Sequence, residues 1–159
     1  MGQFLACHDR QTGRLPGFLC LFFICALLCA ACARKDDALS ALDKATDTLQ
    51  RGIAEKDTAQ VLGLLHADFA ARAPDENRDW AKRVLFAAFS RHKNIRVMTL
   101  RLENRLSPGT PDRAISEGEI LLIGADGLIP ENANRYQVRL GWIQQNGAWR
   151  LLRLEFSAP

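Results

Sequence analysis

Most of this chain contains no cysteine. All five cysteines lie at or before position 32, so the 127 residues that follow have none. A disulfide framework would need cysteines within the folded domain. The sequence therefore excludes a small domain that is held together by disulfide bonds.

The chain also lacks the residue patterns of several kinds of site. Beyond Cys32 the only soft metal ligands are His66 and His92, which are 26 residues apart and do not have metal-site spacing. No glycine-rich phosphate loop and no nucleophile elbow is present. We therefore expect neither a bound metal nor another cofactor.

An excess of one charge sign is missing as well. The chain has 21 Lys and Arg against 18 Asp and Glu, a formal net charge of +3. Removing the first 31 residues takes away Asp9, Arg10 and Arg14 and leaves a net charge of +2. Binding to nucleic acid needs clustered Lys and Arg, whereas basic and acidic residues alternate here. We expect a mixed, solvated surface and no nucleic-acid partner.

The N-terminal region is apolar and uncharged from Leu15 to Ala33. Arg10 and Arg14 form a basic segment, Phe18–Leu28 an apolar core, and two small alanines precede Cys32, which is the layout of a secretory signal. The uncharged stretch is slightly shorter than the about 20 residues of a membrane span. We predict a signal peptide at residues 1–31, and an uncleaved anchor is the alternative.

The segment Leu28-Cys29-Ala30-Ala31-Cys32 resembles the lipobox of bacterial lipoproteins, although Cys29 stands where the family usually has an aliphatic residue. The resemblance implies a thioether-linked diacylglycerol on Cys32 and an acylated new N-terminus, with chains such as palmitate. Each buried CH₂ group contributes about 0.8 kcal/mol, so several acyl chains hold a domain firmly on a membrane. Ala33 is not acidic, which in such lipoproteins favours the periplasmic face of the outer membrane over the inner membrane.

Residues 38–159, which follow a short tether at residues 32–37, are predicted to form one domain that begins with three helices. Apolar residues recur every three or four positions, as on one face of a helix. The first stripe is formed by Leu39, Leu42, Ala45, Leu49 and Ile53. The second helix is predicted to start at an Asp57 N-cap, to end before Pro74 and to carry Val61, Leu62, Leu65 and Phe69. The third follows capping residues at 75–79 and carries Trp80, Val84, Ala87 and Ala88, flanked by Leu85 and Phe89.

Beyond Lys93 the apolar period changes to two, which is typical of strands. Strands are predicted at residues 96–102 and 114–123, with a loop at residues 107–111. The clearest alternation is that of Tyr136, Val138, Leu140 and Trp142. Asn146-Gly147 predicts a tight turn before a last strand that carries Leu152, Leu154 and Phe156. Three helices before a curved antiparallel sheet of about four strands make an α+β domain.

Three local patterns carry a family resemblance. They are Lys56-Asp57-Thr58 before a short helix, a helix ending near Phe89 before Asn94-Ile95-Arg96-Val97, and the closing Asn146-Gly147-Ala148-Trp149-Arg150-Leu151-Leu152. With the order of elements over Leu39–Phe156, they resemble the nuclear transport factor 2-like superfamily, also called SnoaL-like or cystatin-like α+β cones. The resemblance implies a curved sheet around a conical pocket. Members include isomerases, dehydratases, cyclases, ligand carriers and protein-binding modules, so it implies a fold and not an activity.

Several side chains are candidates for the wall of such a pocket: His66, Trp80, Phe89, Tyr136 and Trp142, with Phe86 and Phe156 as further aromatic surface. His66 lies on the second predicted helix and could face the pocket, but a surface or helix-end position is the more common role. Tyr136 could bind a ligand through its hydroxyl, or lie in the core with one hydrogen bond. His92 is predicted to lie at a helix C-terminus, where a cation suits the helix dipole, and is not expected to be catalytic.

Two features of the predicted sheet have alternative interpretations. Glu117 and Glu119 share one face of their strand, which fits paired catalytic carboxylates but is more typical of a solvent-facing strand. The long connection at residues 124–134 carries Leu128-Ile129. Those two side chains either pack back on the sheet, which we favour, or contact a partner or cover the pocket.

The leading hypothesis is a lipid-anchored lipoprotein of the bacterial cell envelope that binds a small apolar ligand or an envelope protein without catalysis. An isomerase or dehydratase that uses His66 or Tyr136 in the cone is the alternative, since acid/base chemistry needs an ionisable group in the pocket. A third hypothesis is a structural homodimer whose sheets pack together.

The anchor hypothesis predicts the mass of the protein in the membrane fraction. The mature species should begin at Cys32 and carry the added mass of a diacylglyceryl group and an acyl chain, and both should be lost in Cys32→Ala. Intact-mass measurement on the two proteins checks this. An unmodified precursor mass for the original chain would contradict the lipid anchor. It would indicate instead that the N-terminal segment is an uncleaved membrane span.

Overall fold

The computed structural model describes the backbone of residues 17–125 and 132–158, and the side chains of residues 35–124 and 134–158. The chain divides into two compact units, residues 1–36 and 37–159. Residues 1–16 of the predicted signal peptide, the Cys32 side chain and the Leu128-Ile129 pair lie outside the described residues, whereas the backbone of residues 17–31 is helical. Within the described part, no helix is long and apolar enough to cross a membrane.

Helices precede most of the strands, and the domain is α+β as predicted. The helices are α1 (Gly17–Ala54), α2 (Thr58–Leu64) and α3 (Arg78–Arg91). The strands are β1 (Leu65–Ala70), β2 (Asn94–Ser107), β3 (Thr110–Ala125), β4 (Asn132–Gln145) and β5 (Ala148–Ser157). They form one sheet in the order β1-β5-β4-β3-β2, in which β1 runs parallel to β5 and the other neighbours are antiparallel.

The helix starts follow the capping residues in the sequence. The Asp57 carboxylate accepts a hydrogen bond from the backbone N–H of Gln60 at 2.8 Å, which confirms the predicted N-cap of α2. Asn77 caps α3 by accepting from the N–H groups of Asp79 and Trp80. Both caps satisfy backbone donors that a helix start leaves without an internal partner.

The second helix is shorter than predicted, and the prediction for Leu65–Phe69 was wrong. Helix α2 ends at Leu64, and the next six residues form the edge strand β1. Leu65 and Phe69 are buried in the core. Their spacing of four is compatible with one face of a helix and also with one face of a strand. Pairing with Leu151 of β5 decides between the two, and this contact is distant in sequence. The sheet therefore has five strands and not four.

The strands β2 and β3 are longer than predicted, because the segment predicted as a loop at residues 107–111 is mostly strand. Only Pro108 and Gly109 form a turn, with Gly109 at φ +75°. The predicted turn at Asn146-Gly147 is confirmed, since both residues have positive φ, +52° and +78°, as a tight hairpin requires.

A bulge in the last hairpin changes which leucine of β5 faces the core. Trp142 pairs with Leu151 and Gly141 with Arg153, so Leu152 is an extra residue. Leu151 is 2% exposed and belongs to the core, whereas Leu152 is only partly buried.

The packed core lies between the helices and the inner face of the sheet. Its buried members come from α1, β1 and the adjoining Ala71, α3, and the three strands β3 to β5. Trp142 is 2% exposed, and its indole N–H donates to the fully buried Ser116 hydroxyl at 2.9 Å. The indole N–H of Trp149 donates to the carbonyl of Ala38 at 3.0 Å. These bonds fix two large side chains at the end of the sheet where β4 turns into β5.

Gly118 is required where β2 approaches β3 closely. A β-carbon at this position would overlap the carbonyl oxygen of Arg101, beside the irregularity between Thr99 and Arg101 in β2. We predict that Gly118→Ala lowers the free energy of unfolding by about 2 kcal/mol or more, because the strand backbones must move apart. Urea denaturation followed by tryptophan fluorescence measures this.

The matched control is Gly63→Ala in α2. A β-carbon there meets nothing within 4 Å, and alanine is the better helix former, so no loss of stability is expected. Equal stability of the two variants would contradict the steric role of Gly118.

Candidate ligand-binding cavity

A cavity of about 450 Å³ lies between α1, α3 and the inner face of the sheet. Most of its wall is aliphatic or aromatic. Among the described lining residues there is no Asp, Glu, Lys or Arg. The volume falls within the range of roughly 300–1,000 Å³ that is usual for small-molecule sites, which are also mostly apolar.

Helix α3 forms one wall through residues spaced three or four apart. The lining residues of this helix are Trp80, Ala81, Val84, Leu85, Ala88 and Phe89. The opposite side of the helix faces solvent, where Phe86 is 72% exposed. The helix is thus amphipathic, and its apolar stripe covers the cavity.

Three of the five predicted pocket residues line the same cavity: Trp80, Phe89 and Tyr136. His66 and Trp142 are not part of the lining. Trp142 lies in the packed core and already uses its indole N–H. The prediction for His66 depended on a helix, but this residue lies on β1, where its Nδ1 accepts from the backbone N–H of Asp68 at 3.1 Å.

His92, which was not expected to take part in a site, is on the cavity wall. Its Nδ1 is buried and has no hydrogen-bond partner. The Nδ1 edge of the ring lies against Gly124 of β3, where a β-carbon would be only 3.0 Å from Nδ1. The spacing of three from Phe89 and four from Ala88 continues the apolar stripe of α3, and this signal could have identified His92 from the sequence.

Lys56 holds the backbone at the C-terminal end of α3, next to His92. It has a positive φ of +58° directly after α1, and its ammonium group donates to the backbone carbonyls of Phe89, at 3.0 Å, and His92. A cation at these carbonyls is favourable, because the last carbonyls of a helix lack internal partners. The position of the imidazole is therefore set from two sides, by Lys56 through the backbone and by Gly124 under the ring.

Six hydroxyl, amide or imidazole side chains line the cavity: Thr46, Gln50, His92, Thr99, Asn134 and Tyr136. Three of them already have partners, since Thr46 donates to the Asp43 carbonyl, and Gln50 bonds both the Val97 carbonyl and the Thr99 hydroxyl. The side chains of His92, Asn134 and Tyr136 form no hydrogen bond with another described residue. Asn134 lines the cavity and is also exposed, so it lies at the opening. The three side chains can bond an occupant of the cavity.

Phe156 forms part of the wall and is held from both sides. The Tyr136 ring meets it edge-on, with centroids 6.1 Å apart, and the Arg72 guanidinium lies 4.4 Å from its ring centroid. Arg72 also bonds Glu76 at 2.8 Å, and this hydrogen bond holds the pKa of the Glu76 carboxyl below its usual range. The pair keeps the cation over the aromatic ring.

The carboxylates Glu117 and Glu119 lie outside the cavity, on the outer face of the sheet. Glu117 pairs with Arg105 at 2.6 Å and with Arg139 at 3.2 Å, and Glu119 pairs with Arg135 at 3.0 Å. They form a partly exposed ladder of ion pairs, as expected for a solvent-facing strand. No group of metal-ligating side chains is found in the described part of the chain.

No family model and no curated protein matches the sequence, so relationships come from solved structures. A candidate dehydratase of the NTF2-like family from Streptomyces avermitilis is similar at a TM-score of 0.67 and 12% identity, over 78% of this chain and 97% of that one. An NTF2-like protein of unknown function from Pseudomonas putida KT2440 has a TM-score of 0.66 at 13% identity, over 78% and 88%.

A third similarity is to Bd1075 of Bdellovibrio bacteriovorus, with a TM-score of 0.64 and 10% identity over 74% of this chain. The match covers only 40% of that larger protein. At these identities the comparisons establish the fold alone. The domain has the NTF2-like, cystatin-like α+β cone fold.

Proposed function

We propose that this protein is a lipid-anchored lipoprotein of the bacterial envelope whose cone binds a small, largely apolar molecule without transforming it. The observation that carries the binding role is the cavity of about 450 Å³ with an apolar wall and no charged lining side chain among the described residues. The anchor rests on the lipobox-like sequence that ends at Cys32. A tethered domain with such a cavity is suited to hold a molecule that is poorly soluble in water.

The open cavity favours a small molecule over a protein partner. A cone filled by its own side chains would leave only outer surfaces for binding, whereas this wall leaves aromatic and aliphatic side chains in contact with the cavity. Burial of apolar surface contributes roughly 25 cal/mol per Å². A ligand of complementary shape would gain most of its affinity from this wall.

Catalysis is the second candidate, and two observations support it. His92 and Tyr136 both line the cavity, and two proteins of similar fold are named as candidate dehydratases. Acid/base chemistry usually also needs a partner that orients or charges the catalytic group. No carboxylate among the described lining residues provides one, so we favour binding.

Filling the cavity should abolish binding. We predict that the chain purified from the membrane fraction carries a small-molecule adduct in native mass spectrometry, and that Ala88→Phe loses it. Ala88 lines the cavity, so a benzyl group at this position would occupy the space of the ligand.

The matched control is Ala87→Phe, one residue away on the exposed side of α3. It should retain the adduct, and thermal unfolding followed by circular dichroism tests whether both variants are folded. If a folded Ala88→Phe protein kept the adduct, ligand binding in the cone would be excluded. Recovery of a chemically altered ligand after incubation would favour catalysis instead.

A further inference from the structure

The free hydrogen-bonding groups of the cavity are clustered on one part of the wall, and this distribution limits what the ligand can be. Inner-face residues of β3 and β4 pair directly: Gly124 with Asn132, Leu122 with Asn134, and Ile120 with Tyr136. The His92 ring lies on Gly124. His92, Asn134 and Tyr136 therefore occupy three successive inner-face rows at the end of β3 and the beginning of β4.

The rest of the wall offers little polarity. Gln50 and Thr99 are bonded to each other, and Thr46 is bonded to the backbone. The indole of Trp80 also lines the cavity, but Trp80 is 12 residues before His92 in α3 and its C-cap, about 18 Å along the helix. It cannot belong to the same polar cluster. Elsewhere on the described wall, a polar group of the ligand would meet mostly hydrocarbon or polar side chains that already have partners.

The surroundings of His92 indicate which ring nitrogen carries the hydrogen in the neutral imidazole. A neutral imidazole has one nitrogen that donates and one that accepts. A buried N–H without an acceptor is rarer and costlier than a buried acceptor without a donor. Nδ1 is buried without a partner, so we assign the proton to Nε2, the nitrogen turned away from Gly124. His92 then offers a donor to the cavity, as the Asn134 amide and the Tyr136 hydroxyl also can.

We propose that the ligand is an amphiphile with a long apolar body and one neutral, hydrogen-bond-accepting end, such as an ester, ketone or amide carbonyl, which binds at His92, Asn134 and Tyr136. This inference rests on the proposed binding function and specifies its ligand class. A charged end is disfavoured by the described lining, because a charge that loses contact with water without gaining a paired opposite charge is strongly unfavourable. No described lining side chain carries a charge.

A series of ligands with similar chain length and different end groups tests the proposal. Native mass spectrometry would be applied to the full processed chain, released from detergent micelles after incubation with methyl decanoate, decanoate, decylamine or dodecane. Methyl decanoate should be retained about fivefold more than dodecane, as expected for about 1 kcal/mol from hydrogen bonding. Decanoate and decylamine should be retained less than the ester.

Variants separate the polar end from the apolar wall. His92→Phe and Asn134→Leu should lower the retention of methyl decanoate to that of dodecane and leave dodecane unchanged. Gly124→Ala should act in the same direction, because its β-carbon displaces the His92 ring. Tyr136→Phe, which removes only a hydroxyl, is the variant least able to disturb folding and should give a smaller loss.

The outcomes distinguish the two proposals. If no ligand of the series binds to any of the proteins, the proposed binding function fails. Three other results would leave the binding function standing and overturn the proposed ligand class. They are equal retention of methyl decanoate and dodecane, highest retention of a charged ligand, or a preference of the folded His92→Phe and Asn134→Leu variants for the ester that equals that of the original chain.

Discussion

The apolar inner face of the sheet has to be covered, and the helices cover it unevenly. Along strand β4, inner-face residues pass from the packed core to the wall of the cavity. Trp142 and Leu140 are 2% and 8% exposed, respectively, and belong to the packed core, and Leu140 also borders the cavity, whereas Val138 and Tyr136 face only the cavity. Area removed from water is the main source of stability, so the tryptophan end of the sheet stabilises the domain. The other end leaves apolar surface that a ligand can cover.

Two glycines of β3 shape the wall between these ends. Gly118 and Gly124 are on the same face of the strand, six residues apart. At Gly118 the backbone of β2 approaches closely, next to the irregularity in β2, and at Gly124 the ring of His92 takes the place of a side chain. Strand β3 thus allows the close approach of β2 at one glycine and leaves room for a polar side chain at the other. Neither feature would tolerate a β-carbon without movement.

Features that depend on neighbouring residues could be predicted from the sequence, and those that depend on distant contacts could not. The Asp57 cap and the Asn146-Gly147 turn are set by local hydrogen bonding and backbone preference, and both were correctly predicted. Strand β1 depends on Leu151, more than 80 residues away, so its apolar spacing alone was ambiguous. The wrong position of His66 follows directly from that error. His92 was missed because a helix-end histidine is usually solvated, although its spacing from Ala88 and Phe89 continues the apolar stripe of α3.

The state of His92 also bears on whether the cone binds or reacts. A histidine that acts as a general base is usually oriented by a second group at its other nitrogen. Here Nδ1 has no such partner and faces the backbone of Gly124. The ammonium group of Lys56 donates to the backbone carbonyls of Phe89 and His92 and not to the imidazole. An imidazole without such a partner can still donate a hydrogen bond to a ligand. It lacks an acceptor that would stabilise the imidazolium formed when a proton is taken from the ligand. The contacts that place His92 on the wall thus fit the binding role that we propose.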